Sequence, residues 1–198
     1  YHMEANMETL THDDKRNFYV CIDYKKDNDK DLFRISLLDK NINQQQIMLR
    51  NKDGVYVLTP SLNQVYTFTG DYPLNSQKPY LFHSMLEALD SEYNIEKVSD
   101  GYLLSFVPKY ENSPNWVKED VKLSLEFKPM WVNIYDQNNT IVCSVNFTKA
   151  EFNVDLSEDD FNVEINMKNA KETSSTINRS DEELPFVVKS CVVGVDHP

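Results

Sequence analysis

Residues 54–81 read GVYVLTPSLNQVYTFTGDYPLNSQKPYL. The first half alternates. Val55 and Val57 fall on one side of an extended chain and Tyr56 and Leu58 on the other; after Pro60-Ser61-Leu62-Asn63 the alternation resumes in Gln64-Val65-Tyr66-Thr67-Phe68. Period-two runs of β-branched and aromatic residues flanking a corner where Pro presets φ predict two antiparallel strands and their turn. The second half crosses through Pro73 and Pro79 into YLFHSMLEAL (80–89), where Leu81, Met85 and Leu89 recur at helical spacing. Such a hairpin belongs in a large antiparallel sheet, and an apolar helix beside it covers that sheet. The stretch holds no catalytic pattern, so it points to a binding or scaffold protein.

The neighbouring sequence extends the same rhythm. NFYVCIDYKK from Asn17 places Phe18, Val20, Ile22 and Tyr24 on one face. LFRISLLD and QQQIMLRN read as the next two strands, and NKDG before Val55 as a hairpin turn whose Asp-Gly tolerates positive φ. Downstream, GYLLSFVP (101–108), VKLSLEFKP, MWVNIYD and TIVCSVNFTKAEFN read as further strands, with Asp136–Asn139 as a turn. The predicted organisation is a polar N-terminal arm carrying a tag remnant over 1–16, a mainly β (α+β) half-barrel domain over 17–167, a flexible linker over 168–183, and a C-terminal strand over 184–198 open to exchange between protomers. The start, Tyr1-His2-Met3, reads as a cloning remnant with the natural N-terminus removed.

Composition narrows the function. With 198 residues and 40% hydrophobic content the chain can bury a sizeable core. Only 4 Gly occur, with no phosphate-cradling glycine motif. A net charge of −12 repels nucleic acid and anionic lipid and suits a basic patch on a partner protein. Cys21, Cys143 and Cys191 are odd in number and far apart, so they read as small buried hydrophobes rather than a disulfide framework. Asp27, Asn28, Asp29 and Asp31 resemble the opening of a calcium loop, but Leu32 and Leu38 stand where the turn Gly and the bidentate Glu belong, leaving a solvated turn. His83, with Glu87 one turn later, reads as a core-edge or interface residue; no second His lies near enough in sequence to build a metal site. Glu158-Asp159-Asp160 after Ser157 reads as a helix start or solvated turn. No catalytic residues, metal ligands or cofactor are expected.

The run LFRISLL (32–38) followed by IMLRNKDGVYVLTPSLNQVYTF (47–68) resembles the LolA/RseB group, through Val55, Tyr56, Leu58, Pro60, Leu62, Asn63, Gln64, Val65, Tyr66 and Phe68. The resemblance implies a curved antiparallel half-barrel with one or two helices on its concave face. The continuation GDYPLNSQKPYLFHSMLEAL resembles the clostridial germination lipoprotein family, GerS. That resemblance implies an extracytoplasmic, membrane-anchored lipoprotein of the developing spore. It implies binding to a zinc-dependent spore-cortex N-acetylmuramoyl-L-alanine amidase of the CwlD type and allosteric support of its activity. A lipid or lipoprotein carrier with an apolar cavity is the alternative that the LolA group implies. The residues expected to meet a partner are Tyr72, Pro73, Leu74, Asn75 and Tyr80, on the irregular crossing, with sheet edges as the competing location.

Overall fold

The structure, a computed structural model, describes residues 1–11, 14–27, 30–68, 78–90, 92–110 and 113–175. In chain order its strands are β1 (His2–Thr11), β2 (Asp14–Asp27), β3 (Lys30–Asp39), β4 (Gln44–Arg50), β5 (Val55–Thr59), β6 (Gln64–Phe68), β7 (Tyr93–Val98), β8 (Gly101–Phe106), β9 (Lys118–Leu123), β10 (Pro129–Tyr135) and β11 (Ile141–Glu151). The helices are α1 (Phe82–Glu87) and α2 (Val163–Ser175). Among the described residues, these eleven strands join one antiparallel sheet in the order β6-β5-β4-β3-β2-β1-β11-β10-β9-β8-β7. The sheet is unclosed, so β6 and β7 are its two edges, as the expected fold class requires.

The opening stretch folds as its alternation predicts. Val55 and Val57 of β5 join the main core, whereas Tyr56 and Leu58 pack on the opposite face. Pro60–Leu62 form a short 3-10 turn that ends on Asn63, whose φ of 54° is a left-handed conformation that Asn tolerates. Before β5, the Asn51 side chain accepts the backbone N–H groups of Asp53 (2.9 Å) and Gly54 (3.1 Å), closing the turn locally.

The core lies on one face. Cross-strand pairing lines up Ile22 with Ile35, Ile35 with Met48, and Met48 with Val57 in one half of the sheet, and Val145 with Val132 and Val132 with Val121 in the other half, all on this same face. Most of these side chains are fully buried. Burying each such aliphatic group contributes about 1.5–3 kcal/mol. Tyr80 and Leu81, just before α1, and Met85 within it cover the middle of this face. The helix expected over 80–89 is therefore found as α1 continued by a 3-10 turn over Ala88–Asp90.

Several expectations are corrected. The arm expected over 1–16 is instead strand: His2–Thr11 form β1, a central strand paired on one side with β2 and on the other with β11, and Asp14–Arg16 begin β2. The alternation of β1, Met3, Ala5 and Met7 inward, is obscured in the sequence by the charged residues between them. Tyr1-His2-Met3, expected as a cloning remnant, are packed into the fold, with Met3 fully buried and Tyr1 stacked on Tyr24. β7 is an unexpected strand, hidden because its outward residues are polar and it pairs on one side only. β9 begins earlier than expected, and residues 124–128 turn instead of continuing it.

The linker expected from 168 begins as helix. α2 carries Val163, Asn166, Met167 and Ala170 along one stripe, packed over Ile47, Leu49 and Leu58 on the face opposite the core. Asn162 caps it, its side chain accepting the N–H of Ile165 at 3.0 Å. The remainder of the linker, the C-terminal strand and Cys191 lie outside the described residues.

Candidate functional site: two apolar sheet edges and a polar seam

Two regions of the fold carry side chains that folding alone does not account for. The first is the pair of sheet edges. Tyr66 and Phe68 of β6 stand opposite Val57 and Val55, so they share the core face. Tyr93 and Ile95 of β7 stand opposite Phe106 and Leu104 and share it too. α1 covers only the middle of that face, so these four remain 50%, 42%, 45% and 49% exposed. Leu86 and Leu89, at the end of α1 and just beyond it, are exposed as well. A hollow of about 590 Å³ adjoins β7, lined by Tyr93, Phe106 and Val107 together with the charged Glu92, Lys109 and Lys118. Edge strands with exposed apolar side chains are surfaces on which a partner strand or apolar anchor can dock.

Of the residues expected to meet a partner, Tyr80 alone is among the described residues. Tyr72, Pro73, Leu74 and Asn75 lie outside the described residues. Tyr80 is 5% exposed and packed in the core. His83 is at the core edge as expected. Its ring meets Tyr24 edge-on at 4.4 Å, its Nδ1 lies 3.1 Å from the Tyr1 hydroxyl, and burial lowers its pKa. Asp27 and Asp31 of the calcium-like run sit in β2 and β3, where Asp31 accepts a hydrogen bond from the Tyr24 hydroxyl at 2.5 Å. Asn28 and Asp29 lie outside the described residues. The acidic cluster makes a short turn, Asp159–Phe161, in which Asp160 accepts the Ser157 N–H at 2.7 Å.

The second region is a polar seam on the face opposite the core, running across β1, β2 and β3 beneath α2. Direct pairing puts His2 beside Asp23, Glu4 beside Cys21, Asp23 beside Arg34, and Cys21 beside Ser36. His2 Nδ1 lies 2.7 Å from Asp23 Oδ1 and its Nε2 lies 2.9 Å from Glu4 Oε1. Tyr19 donates its hydroxyl to Glu4. The Arg34 guanidinium sits 3.5 Å from the Asp23 carboxylate and 3.8 Å from Cys21 Sγ, and its Nε donates to Asn166 Oδ1 on α2. Asn166 in turn donates to the carbonyls of Asp160 and Asn162, at 3.0 and 2.8 Å, so its buried amide is satisfied.

Burial works against charging His2, but its hydrogen bonds to Asp23 and Glu4 outweigh burial and raise its pKa. The Tyr19 hydroxyl, then His2, holds Glu4 below the usual carboxylate range. Burial pushes the Cys21 thiol up. The seam straps α2 to the sheet through charge-assisted contacts. It also brings together an imidazole, a thiol and a carboxylate whose donor atoms all lie within 4.8 Å of one another. Sequence reasoning misses this cluster because it assigns His2 to an arm and Cys21 to the core. The alternation of β1 is the signal that could have found it: a strand there puts His2 and Glu4 on one face.

No protein-family model matches the chain. The chain is 28% identical over 200 residues to the sporulation protein YdcC of Bacillus subtilis (strain 168), a match that takes in 96% of this chain and 58% of that protein. It thus spans little more than half of that relative's length. An uncharacterized conserved protein from Thermus thermophilus shares the fold, with a TM-score of 0.51 at 10% identity over 81% of this chain and 83% of the other. A chain in the structure of the CwlD amidase from Clostridioides difficile in complex with the GerS lipoprotein matches with a TM-score of 0.48 at 14% identity, over 77% of this chain and 85% of that one. The chain is similar in sequence to a sporulation protein and in fold to unclosed antiparallel sheets of this kind.

Proposed function

We propose that this chain is a non-enzymatic accessory protein of sporulation that docks on a CwlD-type cell-wall amidase and supports its activity. The observation that carries the docking is the pair of sheet edges, where Tyr66, Phe68, Tyr93 and Ile95 stand exposed on a face otherwise devoted to the core. Sequence similarity to a sporulation protein along 96% of the chain supports the process. The amidase itself comes from the resemblance of residues 70–89 to the germination lipoproteins. The acidic surface suits a partner with a basic patch. Support of the enzyme is allosteric if the chain binds the amidase's zinc-competent state more tightly than its other states. An N-terminal lipid would hold the chain outside the cell membrane, where such an enzyme works. Tyr80, Leu81 and Met85 fill the middle of the face an acyl chain would use, which favours docking over carriage.

The test is co-purification with amidases of the source organism, followed by measurement of amidase zinc affinity with and without saturating chain. A stable complex with raised zinc affinity is expected. Absence of any complex would overturn the proposal, and a complex with unchanged zinc affinity would remove the allosteric step.

A further inference from the structure

We propose that His2, Cys21 and Asp23 form a binding site for one borderline divalent metal ion, with zinc the best fit. The inference stands on the seam's geometry and does not rest on the docking reading. One imidazole, one thiolate and one carboxylate are a donor set typical of zinc, and here their atoms lie within 4.8 Å of one another on adjacent strands. Zinc–nitrogen and zinc–oxygen bonds of about 2.0 Å at a tetrahedral angle place those two donors about 3.3 Å apart. The 2.7 Å between His2 Nδ1 and Asp23 Oδ1 therefore has to open by roughly half an ångström, within the reach of χ adjustments in two side chains.

The surroundings are those that metal ligands require. A ligating histidine normally gives its other ring N–H to a carboxylate, which fixes the tautomer. His2 has Glu4 on Nε2 at 2.9 Å, and Glu4 is itself held by the Tyr19 hydroxyl. Arg34 lies on Asp23 Oδ2 and leaves Oδ1 directed at His2. It also lies 3.8 Å from Cys21 Sγ, where it favours the thiolate a metal needs. The charges close: thiolate, Asp23 and Glu4 against Arg34 leave two negative charges for a dication. A hollow of about 390 Å³ lined by Asp23, Arg34, Asp159, Asp160 and Asn166 adjoins the cluster on its Asp23 side. Binding releases the Cys21 thiol proton and the proton held between His2 and Asp23, while the Nε2 proton stays toward Glu4.

Cobalt(II) titration of the metal-free full chain tests the proposal. The expected result is a single equivalent bound, with a sulfur-to-cobalt charge-transfer band and tetrahedral d–d bands that zinc abolishes by displacement. Cys21→Ser should remove the charge-transfer band, whereas Cys143→Ser and Cys191→Ser should leave it. His2→Gln and Asp23→Asn should lower affinity steeply. Glu4→Gln should keep the spectrum while weakening binding about 10–100-fold. Circular dichroism of each variant separates loss of the site from loss of the fold. A wild-type chain with no cobalt–sulfur band, or a band that survives in Cys21→Ser, would overturn the proposal.

Discussion

Replacing Glu119 with Gln should change the pH dependence of stability in one calculable direction. Glu119 lies on β9 between Ile134 of β10 and Phe106 of β8, on the core face, and is 2% exposed. Burial pushes its carboxyl from 4.5 up to about 7; the Tyr110 hydroxyl, donating at 2.8 Å, opposes the rise, and the charge of Asp120 adds to it. Burial also holds the neighbouring Cys143 thiol up at about 12, so it stays neutral across the range that matters. A carboxyl whose pKa is higher folded than unfolded binds its proton more tightly in the folded state. It costs nothing below about 4.5, its cost grows as pH rises through the interval, and the cost is complete above about 7.

From 4.5 to about 7, at about 1.4 kcal/mol per pH unit, the loss is about 3 kcal/mol. Gln keeps the shape, accepts the Tyr110 hydrogen bond and cannot ionise. Its extra N–H adds an offset that does not vary with pH, so the difference between pH values is what tests the reasoning. Urea unfolding of both proteins at pH 4.5 and pH 8 is the assay. The variant should gain about 3 kcal/mol relative to wild type on going from the lower pH to the higher, equivalent to about 6–12 °C in melting temperature. A gap between the two proteins that is the same at both pH values, or one that widens in wild type's favour, would refute a buried carboxyl with a raised pKa.

Two further outcomes follow from local geometry. Gly101 has φ of +151°, and a Cβ there would sit 1.9 Å from the Leu123 carbonyl oxygen; Gly101→Ala should therefore cost about 2–4 kcal/mol in chemical unfolding, by forcing β8 and β9 apart. Asn166→Ala removes the acceptor of Arg34 and two donors to the chain before α2, and should cost about 1–3 kcal/mol, with faster amide exchange confined to α2.

The sheet was legible where one face is wet. Alternation in residues 17–68 gave β2 through β6 with nearly correct bounds, and Pro60–Asn63 gave the turn, because half-buried strands write their period into the sequence. It failed at β1 for the same physical reason in reverse. The outward face of that strand is occupied by His2, Glu4, Asn6 and Glu8, so composition reads as an arm although Met3, Ala5 and Met7 keep the period. α2 was hidden by Asn166, a polar residue in the middle of its buried stripe, whose burial is possible only because Arg34 and two carbonyls satisfy it. The seam could not be read at all without β1, since its ligand-type residues are 21 positions apart in sequence and adjacent only through strand pairing. The apolar edges were anticipated as a competing location for a partner, but not which side chains they would present.

Docking on an amidase is tested by calorimetric titration of a purified CwlD-type amidase with the wild-type chain and with Tyr66→Lys and Tyr93→Lys variants. Both tyrosines are half exposed on edge strands, so the substitutions should lower the melting temperature by only a few degrees and leave the fold intact. Docking through the edges requires saturable one-to-one binding by wild type, weakened at least about tenfold by one or both edge substitutions. No binding by the wild-type chain, or equal affinity in all three proteins, would contradict it.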